Sequence, residues 1–220
     1  MTVSSTHLGP EQSPEQLRDL LSGDARKIAP LLLGSVLSHS SHEGTVAVRI
    51  TEVEAYMGPG DSLHPDPGSH TFRGPTARNA PMFGPAGHLY VYFTYGMHYC
   101  ANIVCGPAGT ASAVLLRAGE VVEGRHLAQV RRPTSKSPLD LASGPARLAT
   151  ALALTTADSG RDALAEPFEL RLPALPVLTY SSGPRVGVSG DGGSADYPWR
   201  FWLPGDPTVS RYKAAKVRQV

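Results

Sequence analysis

The 220-residue chain has little cysteine, almost no net charge and no long hydrophobic run. Its two cysteines, Cys100 and Cys105, are too few for a secreted disulfide scaffold and lack the second pair that a four-thiolate zinc site requires. The N-terminus has no basic region followed by an apolar core, and no apolar run reaches the length of a membrane span. These absences predict a cytoplasmic protein that does not associate with a membrane.

The near-neutral charge also limits how the chain could bind nucleic acid. A formal charge of +1 provides no global attraction to phosphates, so such binding would require a local basic patch. The 41% hydrophobic content and the chain length fit one compact domain. The 23 glycines and 20 prolines predict many turns and disfavour long helices.

Helix signals are confined to short segments. Ser13 can cap a helix that has Pro14 at its first position and Gln16 three residues after the cap. A second helix is predicted to begin at Asp24 and to run through residues 25–37, with Pro30 bending or ending it. Another is predicted at residues 143–154, where Pro145 falls in the first turn.

From residue 45 an alternating pattern predicts a strand that carries acidic groups. A strict two-residue period would put six side chains on one face: Val46, Val48, Ile50, Glu52, Glu54 and Tyr56. An apolar face that turns acidic at its end indicates a strand that leaves the core for a cleft. A carboxylate there must be paired or used as a base, so Glu54 is either a partner of an arginine or a catalytic group.

Residues 57–88 are rich in glycine and proline and are predicted to form a long functional loop. The segment YVYFTYGMHYCAN follows, with four tyrosines and one phenylalanine in a chain that is 7% aromatic. It predicts a strand that turns at Tyr95 and Gly96 and pairs with the strands that follow. Tyr90 and Phe93 are expected in the core, whereas a ring at the turn suits insertion into a stack of bases. The C-terminal third predicts short strands in EPFELRLPALPVL, PRVGVSG and WRFWLP.

Histidine and cysteine do not form a metal motif. His64, His70, His88, His98 and the two cysteines fall within a short span, but neither a His-Glu-x-x-His nor a Cys-x-x-Cys spacing occurs. No metal and no cofactor are therefore expected.

Three long segments carry a family resemblance: EVEAYMGPGD, SHTFRGPTARNAPMFGPAGHLYVYFTYGMHYCANIV and AVLLRAGEVVEG. They resemble the alkyladenine (3-methyladenine) DNA glycosylase family, and the likeness extends over nearly all of the chain after the first helix. The resemblance implies a mixed α/β (α+β) fold: a single domain around a curved antiparallel sheet, with a protruding hairpin that intercalates into DNA. We assign residues 1–24 to an N-terminal helix and tail and residues 25–220 to the glycosylase domain.

The resemblance also implies roles for individual residues. Glu54 matches the general base that activates a water, and Arg117 matches the arginine that positions the pocket wall and that water. Tyr56 and Tyr92 match the rings that sandwich the flipped base, where cationic purines would be attracted to the ring faces. Two further residues have implied roles: Asn102, which disfavours the amino group of normal guanine, and Tyr95, the wedge.

One histidine and three arginines complete the expected site. His70 matches the pocket histidine because SHTFRGPTARN continues in register behind it, while His64, in an apparent insertion of about five residues, is the competing assignment. The expected phosphate contacts are Arg73, Arg78 and Arg147, each of which could equally be a solvated surface side chain.

The predicted function is that of a monofunctional DNA glycosylase, which hydrolyses the N-glycosidic bond of alkylated or deaminated purines and initiates base excision repair. The expected partner is double-stranded DNA with damaged purines, bound by a monomeric, cytoplasmic and nucleoid-associated protein. No lysine occupies the catalytic position, so a lyase step is not expected. Two alternatives are a catalytically inactive damaged-DNA-binding module and a hydrolase of small nucleosides.

Overall fold

A computed structural model describes residues 12–215, which contain four α-helices and nine β-strands. The helices are α1 (Pro14–Leu21), α2 (Ala25–Leu31), α3 (Arg125–Arg131) and α4 (Pro145–Ala151). The strands are β1 (Val36–Ser41), β2 (Gly44–Tyr56), β3 (Leu89–Thr94), β4 (His98–Val104), β5 (Ala113–Glu123), β6 (Ala142–Ser143), β7 (Phe168–Arg171), β8 (Ser181–Gly183) and β9 (Arg200–Trp202).

The strands form one antiparallel sheet in the order β3-β4-β5-β2-β1-β7. The long strand β2 is central: β5 pairs along one side of it, and β1 and then β9 pair along the other. The short strands β6 and β8 extend the sheet beside β5 and β9. The predicted mixed α/β fold around an antiparallel sheet is confirmed.

The strict alternation predicted for β2 is wrong. Val46, Val48 and Ile50 face the hydrophobic core, but farther along the strand the core residues are Val53 and Ala55. The pairing of β2 with β5 shifts register between Ile50 and Val53, and such a bulge reverses the face on which the following side chains lie. The side chains of Glu52, Glu54 and Tyr56 therefore lie on the face opposite the core residues.

A close approach between the two strands accompanies this irregularity. Gly119 of β5 pairs with Ile50, and a Cβ at Gly119 would lie 2.5 Å from the carbonyl oxygen of Arg49. Glycine is the residue that permits two backbones to approach this closely.

The helix predictions are confirmed in part. Ser13 and Gln16 form the expected reciprocal cap at the start of α1, and Leu17 and Leu21 of α1 pack into the main core. The helix after Asp24 ends at Leu31, because residues 36–41 pair with β2 as a strand that the sequence pattern did not reveal. The predicted N-terminal tail lies in residues 1–11, outside the described residues.

Three other expectations were wrong or incomplete. Helix α3 was not anticipated, and the segment PRVGVSG forms a loop rather than a strand. Phe93 is not a core residue, since its side chain is 42% exposed, whereas Tyr90 is buried as expected. No helix among residues 12–215 combines the length and the apolar character needed to cross a membrane.

Candidate active site

A cavity of about 360 Å³ opens where β2, β3, β4 and β5 meet the loops around residues 67–70 and 186–189. Seven of the ten predicted site residues line it: Glu54, Tyr56, His70, Tyr92, Tyr95, Asn102 and Arg117. The three predicted phosphate-contacting arginines do not line it. The structure thus brings together residues from four strands and two loops.

Glu54 is fully buried and is held by two hydrogen bonds and one ion pair. Its Oε2 accepts a hydrogen bond from the hydroxyl of Tyr56 at 2.8 Å, and its Oε1 accepts one from the backbone N–H of Val186 at 2.7 Å. The Nη1 of Arg117 lies 3.4 Å from Oε1. Burial and the charge of Glu54 raise the pKa of Tyr56 well above its ordinary value, so Tyr56 keeps its proton and its O–H donates a hydrogen bond to the carboxylate.

A second buried carboxylate, Glu52, forms an ion pair with Arg117. Glu52 Oε1 accepts hydrogen bonds from Arg117 Nε at 3.0 Å and from Arg200 Nε at 2.6 Å, while Oε2 accepts the N–H of Ser210 at 2.7 Å. Burial by itself raises the pKa of Glu52, but Arg117, Arg200 and the Ser210 hydrogen bond outweigh it and lower that pKa. Glu52 is therefore an anion that fixes the orientation of Arg117 toward Glu54.

Aromatic rings form the walls of the cavity. The ring of His70 meets the ring of Tyr92 edge-on at 4.6 Å between centroids, and its Nδ1 lies 3.1 Å from the hydroxyl of Tyr90. Burial, with a smaller effect from the nearby charge of Arg78, lowers the pKa of His70. His64 lies in other surface depressions and does not line this cavity.

Asn102 and Tyr95 occupy opposite extremes of exposure. Asn102 is buried in β4 and donates from Nδ2 to the carbonyl oxygen of Tyr90 at 2.9 Å, which fixes its amide at the cavity wall. Tyr95 is 86% exposed in the turn between β3 and β4. Tyr95 and Gly96 have φ values of 52° and 66°, and the N–H of Met97 donates to the carbonyl of Thr94. A positive φ is ordinary for glycine but strained for an aromatic residue such as Tyr95.

The three predicted phosphate contacts have different surroundings. Arg73 is an exposed loop residue. Arg78 donates to the carbonyl oxygen of Phe93 at 2.9 Å and lies over the Tyr92 ring. Arg147 forms an ion pair with Asp140, whose other oxygen lies 3.6 Å from Arg132.

The sequence did not lead us to predict that the loop of residues 185–193 contributes to the site. Arg185 is buried and forms two 2.7 Å bonds to the oxygens of Asp66, which joins this loop to the one that carries His70. The two loops touch at glycines, since a Cβ on Gly192 would lie 2.3 Å from the nitrogen of Gly68. The glycine-rich sequence RVGVSGDGG is the signal that could have indicated such a tightly packed loop.

No group of three or more His, Cys, Asp or Glu side chains between residues 12 and 215 could hold a metal ion. The described cavity combines a carboxylate, an arginine and aromatic walls. This set can bind a flat ring and can position and deprotonate a water at one edge of it.

The chain is similar to known proteins over most of its length. Residues 19–207 match the family model described as methylpurine-DNA glycosylase. A protein of Leifsonia xyli subsp. xyli is 58% identical over 200 residues, which cover 89% of this chain and 92% of that protein. A protein of Streptomyces avermitilis is 52% identical over 215 residues, covering 96% of this chain and 97% of that protein. The names of both relatives contain the words 3-methyladenine DNA glycosylase.

Proposed function

Because the chain belongs to the methylpurine-DNA glycosylase family, we propose that its cavity receives a damaged purine flipped out of double-stranded DNA. The chain is a hydrolase of the 3-methyladenine DNA glycosylase type. The base must leave the duplex because an enzyme cannot reach the glycosidic bond of a stacked base. The observation that carries the proposal is the fixed Glu54 carboxylate at the bottom of an aromatic cavity.

Glu54 acts as the general base in this proposal. Its carboxylate takes a proton from a water, the resulting hydroxyl forms a bond to C1′ of the sugar, and the electron pair of the N-glycosidic bond leaves with the base. Positive charge develops on the sugar in the transition state, and the same carboxylate stabilises it. Arg117 holds the carboxylate in position and is itself held by Glu52.

The walls of the cavity select the base. Tyr56 and Tyr92 stack against its faces, and His70 contributes to the wall beside Tyr92. The buried amide of Asn102 disfavours the amino group of normal guanine. Hydrolysis stops at the abasic site, since no lysine takes part in the proposed chemistry.

DNA binding relies on the β3–β4 turn and on local basic residues. Tyr95 fills the space that the flipped base leaves, which offsets the cost of unstacking. Three arginines are proposed to contact phosphates: Arg73, Arg78 and Arg147. We further propose that the protein acts as a monomer in the cytoplasm, on the DNA of the nucleoid, and initiates base excision repair there.

The test is incubation of the protein with duplex oligonucleotides that each carry one damaged purine, followed by alkaline cleavage at abasic sites. Strand cleavage that depends on the lesion supports the proposal. Tight lesion binding without cleavage would instead indicate an inactive binding module. Hydrolysis of free nucleosides without hydrolysis of duplex DNA would indicate a nucleoside hydrolase.

A further inference from the structure

The two rings proposed to stack on the base each have a guanidinium group against them. The Cζ of Arg185 lies 4.5 Å from the centroid of the Tyr56 ring, and the Cζ of Arg78 lies 5.6 Å from that of the Tyr92 ring. Both distances fall within the range of cation–π contact. Tyr56 and Tyr92 line the cavity whereas the two arginines do not. Each guanidinium therefore approaches its ring from outside the cavity.

Arg185 is fixed in this position by its other contacts. Its side chain is buried and donates to both oxygens of Asp66, to the carbonyl of Ala55 at 3.1 Å and to the carbonyl of Gly192 at 2.7 Å. The bidentate pair with Asp66 leaves the guanidinium little freedom to turn away from Tyr56. Asp66 also offsets part of the positive charge that the ring experiences.

Arg78 differs because, within residues 12–215, it forms no ion pair with a carboxylate. It donates to the carbonyl oxygen of Phe93. Its charge also acts to lower the pKa of His70, after the larger effect of burial. Arg78 therefore adds positive potential to the wall that includes Tyr92 and His70.

A guanidinium on one face of a ring changes what the other face attracts. The ring quadrupole attracts a cation, but a cation already present on the far face repels a second one across the ring. A neutral purine does not experience this repulsion and keeps its stacking energy. The Glu54 carboxylate attracts a cationic base from the end of the cavity, so the two arginines oppose that attraction.

We propose that Arg78 and Arg185 set the base preference of the cavity by favouring neutral purine lesions over cationic ones. This inference rests on the proposed function, because it requires that the base lie between the two rings. It reverses the expectation from sequence that the rings by themselves select cationic purines.

The test compares Arg78→Gln with the unchanged protein on two duplexes, one with 7-methylguanine, which is cationic, and one with hypoxanthine, which is neutral. Single-turnover excision is measured for each. We expect the ratio of the 7-methylguanine rate to the hypoxanthine rate to rise about two- to five-fold, the factor that an exposed cation–π contact corresponds to. Arg78→Lys keeps the positive charge and should leave the ratio near that of the unchanged protein.

Arg73→Gln is the matched control for a general loss of phosphate contact, which should slow both reactions by the same factor. If Arg78→Gln behaves like Arg73→Gln, with both rates lower and the ratio constant, Arg78 acts through phosphate contact alone and the inference is overturned. Failure of the unchanged protein to release either base would contradict the proposed function itself and the inference with it.

A second pair of substitutions tests Arg185 without leaving a buried unpaired charge. Arg185→Met combined with Asp66→Asn removes both members of the ion pair. Thermal melting and circular dichroism establish whether the double variant is folded. If it is folded, we expect its rate ratio to shift in the same direction as that of Arg78→Gln, and a constant ratio would overturn the role of Arg185. If it does not fold, the Arg78 comparison decides the inference.

Discussion

Val186 donates its backbone N–H to Oε1 of Glu54 at 2.7 Å, across a separation of 132 residues. Tyr56, two residues from Glu54 along the same strand, holds the other carboxylate oxygen. The orientation of the proposed base therefore depends on a loop near the C-terminus as well as on β2. Because each site residue has its own contacts, we expect substitutions at different residues to have different effects.

Glu54→Gln should retain binding to lesion-containing duplex and lose excision by a factor of about 10²–10⁴, the usual effect of removing a general base. The amide keeps the shape of the side chain but does not accept the proton from water. Single-turnover excision and a gel-shift assay measure the two properties separately. Glu120→Gln, on the neighbouring strand, is the control, because Glu120 pairs with Arg49 away from the cavity. Excision near the unchanged rate in Glu54→Gln would remove this residue from the mechanism.

Glu52→Gln should lower the free energy of unfolding by about 3–5 kcal/mol, since it leaves Arg200 without its buried anion and removes one of the two carboxylates that pair with Arg117. Excision should fall as well, because Arg117 loses its anchor. Urea unfolding at neutral pH measures the change in the free energy of unfolding. Glu120→Gln should lower it by less than about 1 kcal/mol, because the ion pair of Glu120 with Arg49 is more exposed. A cost as small as that of Glu120→Gln would show that Glu52 does not hold Arg117.

The lowered pKa of Glu52 predicts that the free energy of unfolding depends on pH. The pKa of Glu52 is lower in the folded protein than its ordinary value of 4.5, so the unfolded chain binds more protons between the two values. Its contribution to stability is complete above about pH 4.5 and is lost as the pH falls through the folded pKa. Urea unfolding of the unchanged protein and of Glu52→Gln from pH 6 downward should therefore give curves that converge below about pH 4.5. Parallel curves would contradict the assignment.

His70→Ala should reduce excision more than His64→Ala, because His70 lines the cavity beside Tyr92 and His64 lies outside it. The two substitutions are matched in type, and both positions lie in the same loop. Single-turnover rates and lesion affinity provide the comparison. Equal and small effects would mean that neither histidine acts on the base, and the reverse order would favour the competing assignment.

Tyr95→Ser and Tyr92→Ala should fail in different ways. Loss of the exposed Tyr95 ring should weaken base flipping, most for well-paired lesions and least for lesions in mismatches that already unpair easily. Loss of Tyr92 should impair excision of every lesion regardless of pairing. A fluorescent base analogue that reports unstacking, measured together with single-turnover excision, separates the two effects. Unchanged flipping of a well-paired lesion in Tyr95→Ser would exclude the turn as the wedge.

Local signals in the sequence were sufficient for several features of this protein. The cap at Ser13, the turn at Tyr95 and Gly96, and the start of the strand that carries Glu54 each depend on residues within a few positions of one another. Long contiguous segments also indicated the family, because their residues occur in a specific order. The seven predicted residues that line the cavity all came from those segments.

Tertiary structure decided the rest. The bulge in β2 reverses the side-chain alternation and places Glu52 and Glu54 on the face opposite the core, and a regular period cannot reveal it because the shift arises from pairing with β5. The bonds from Arg185 to Asp66 and from Val186 to Glu54 join positions 119 and 132 residues apart. Because these polar groups are buried, each of them requires a hydrogen-bond partner. Which partner each group has is determined only when the sheet and the two loops pack together.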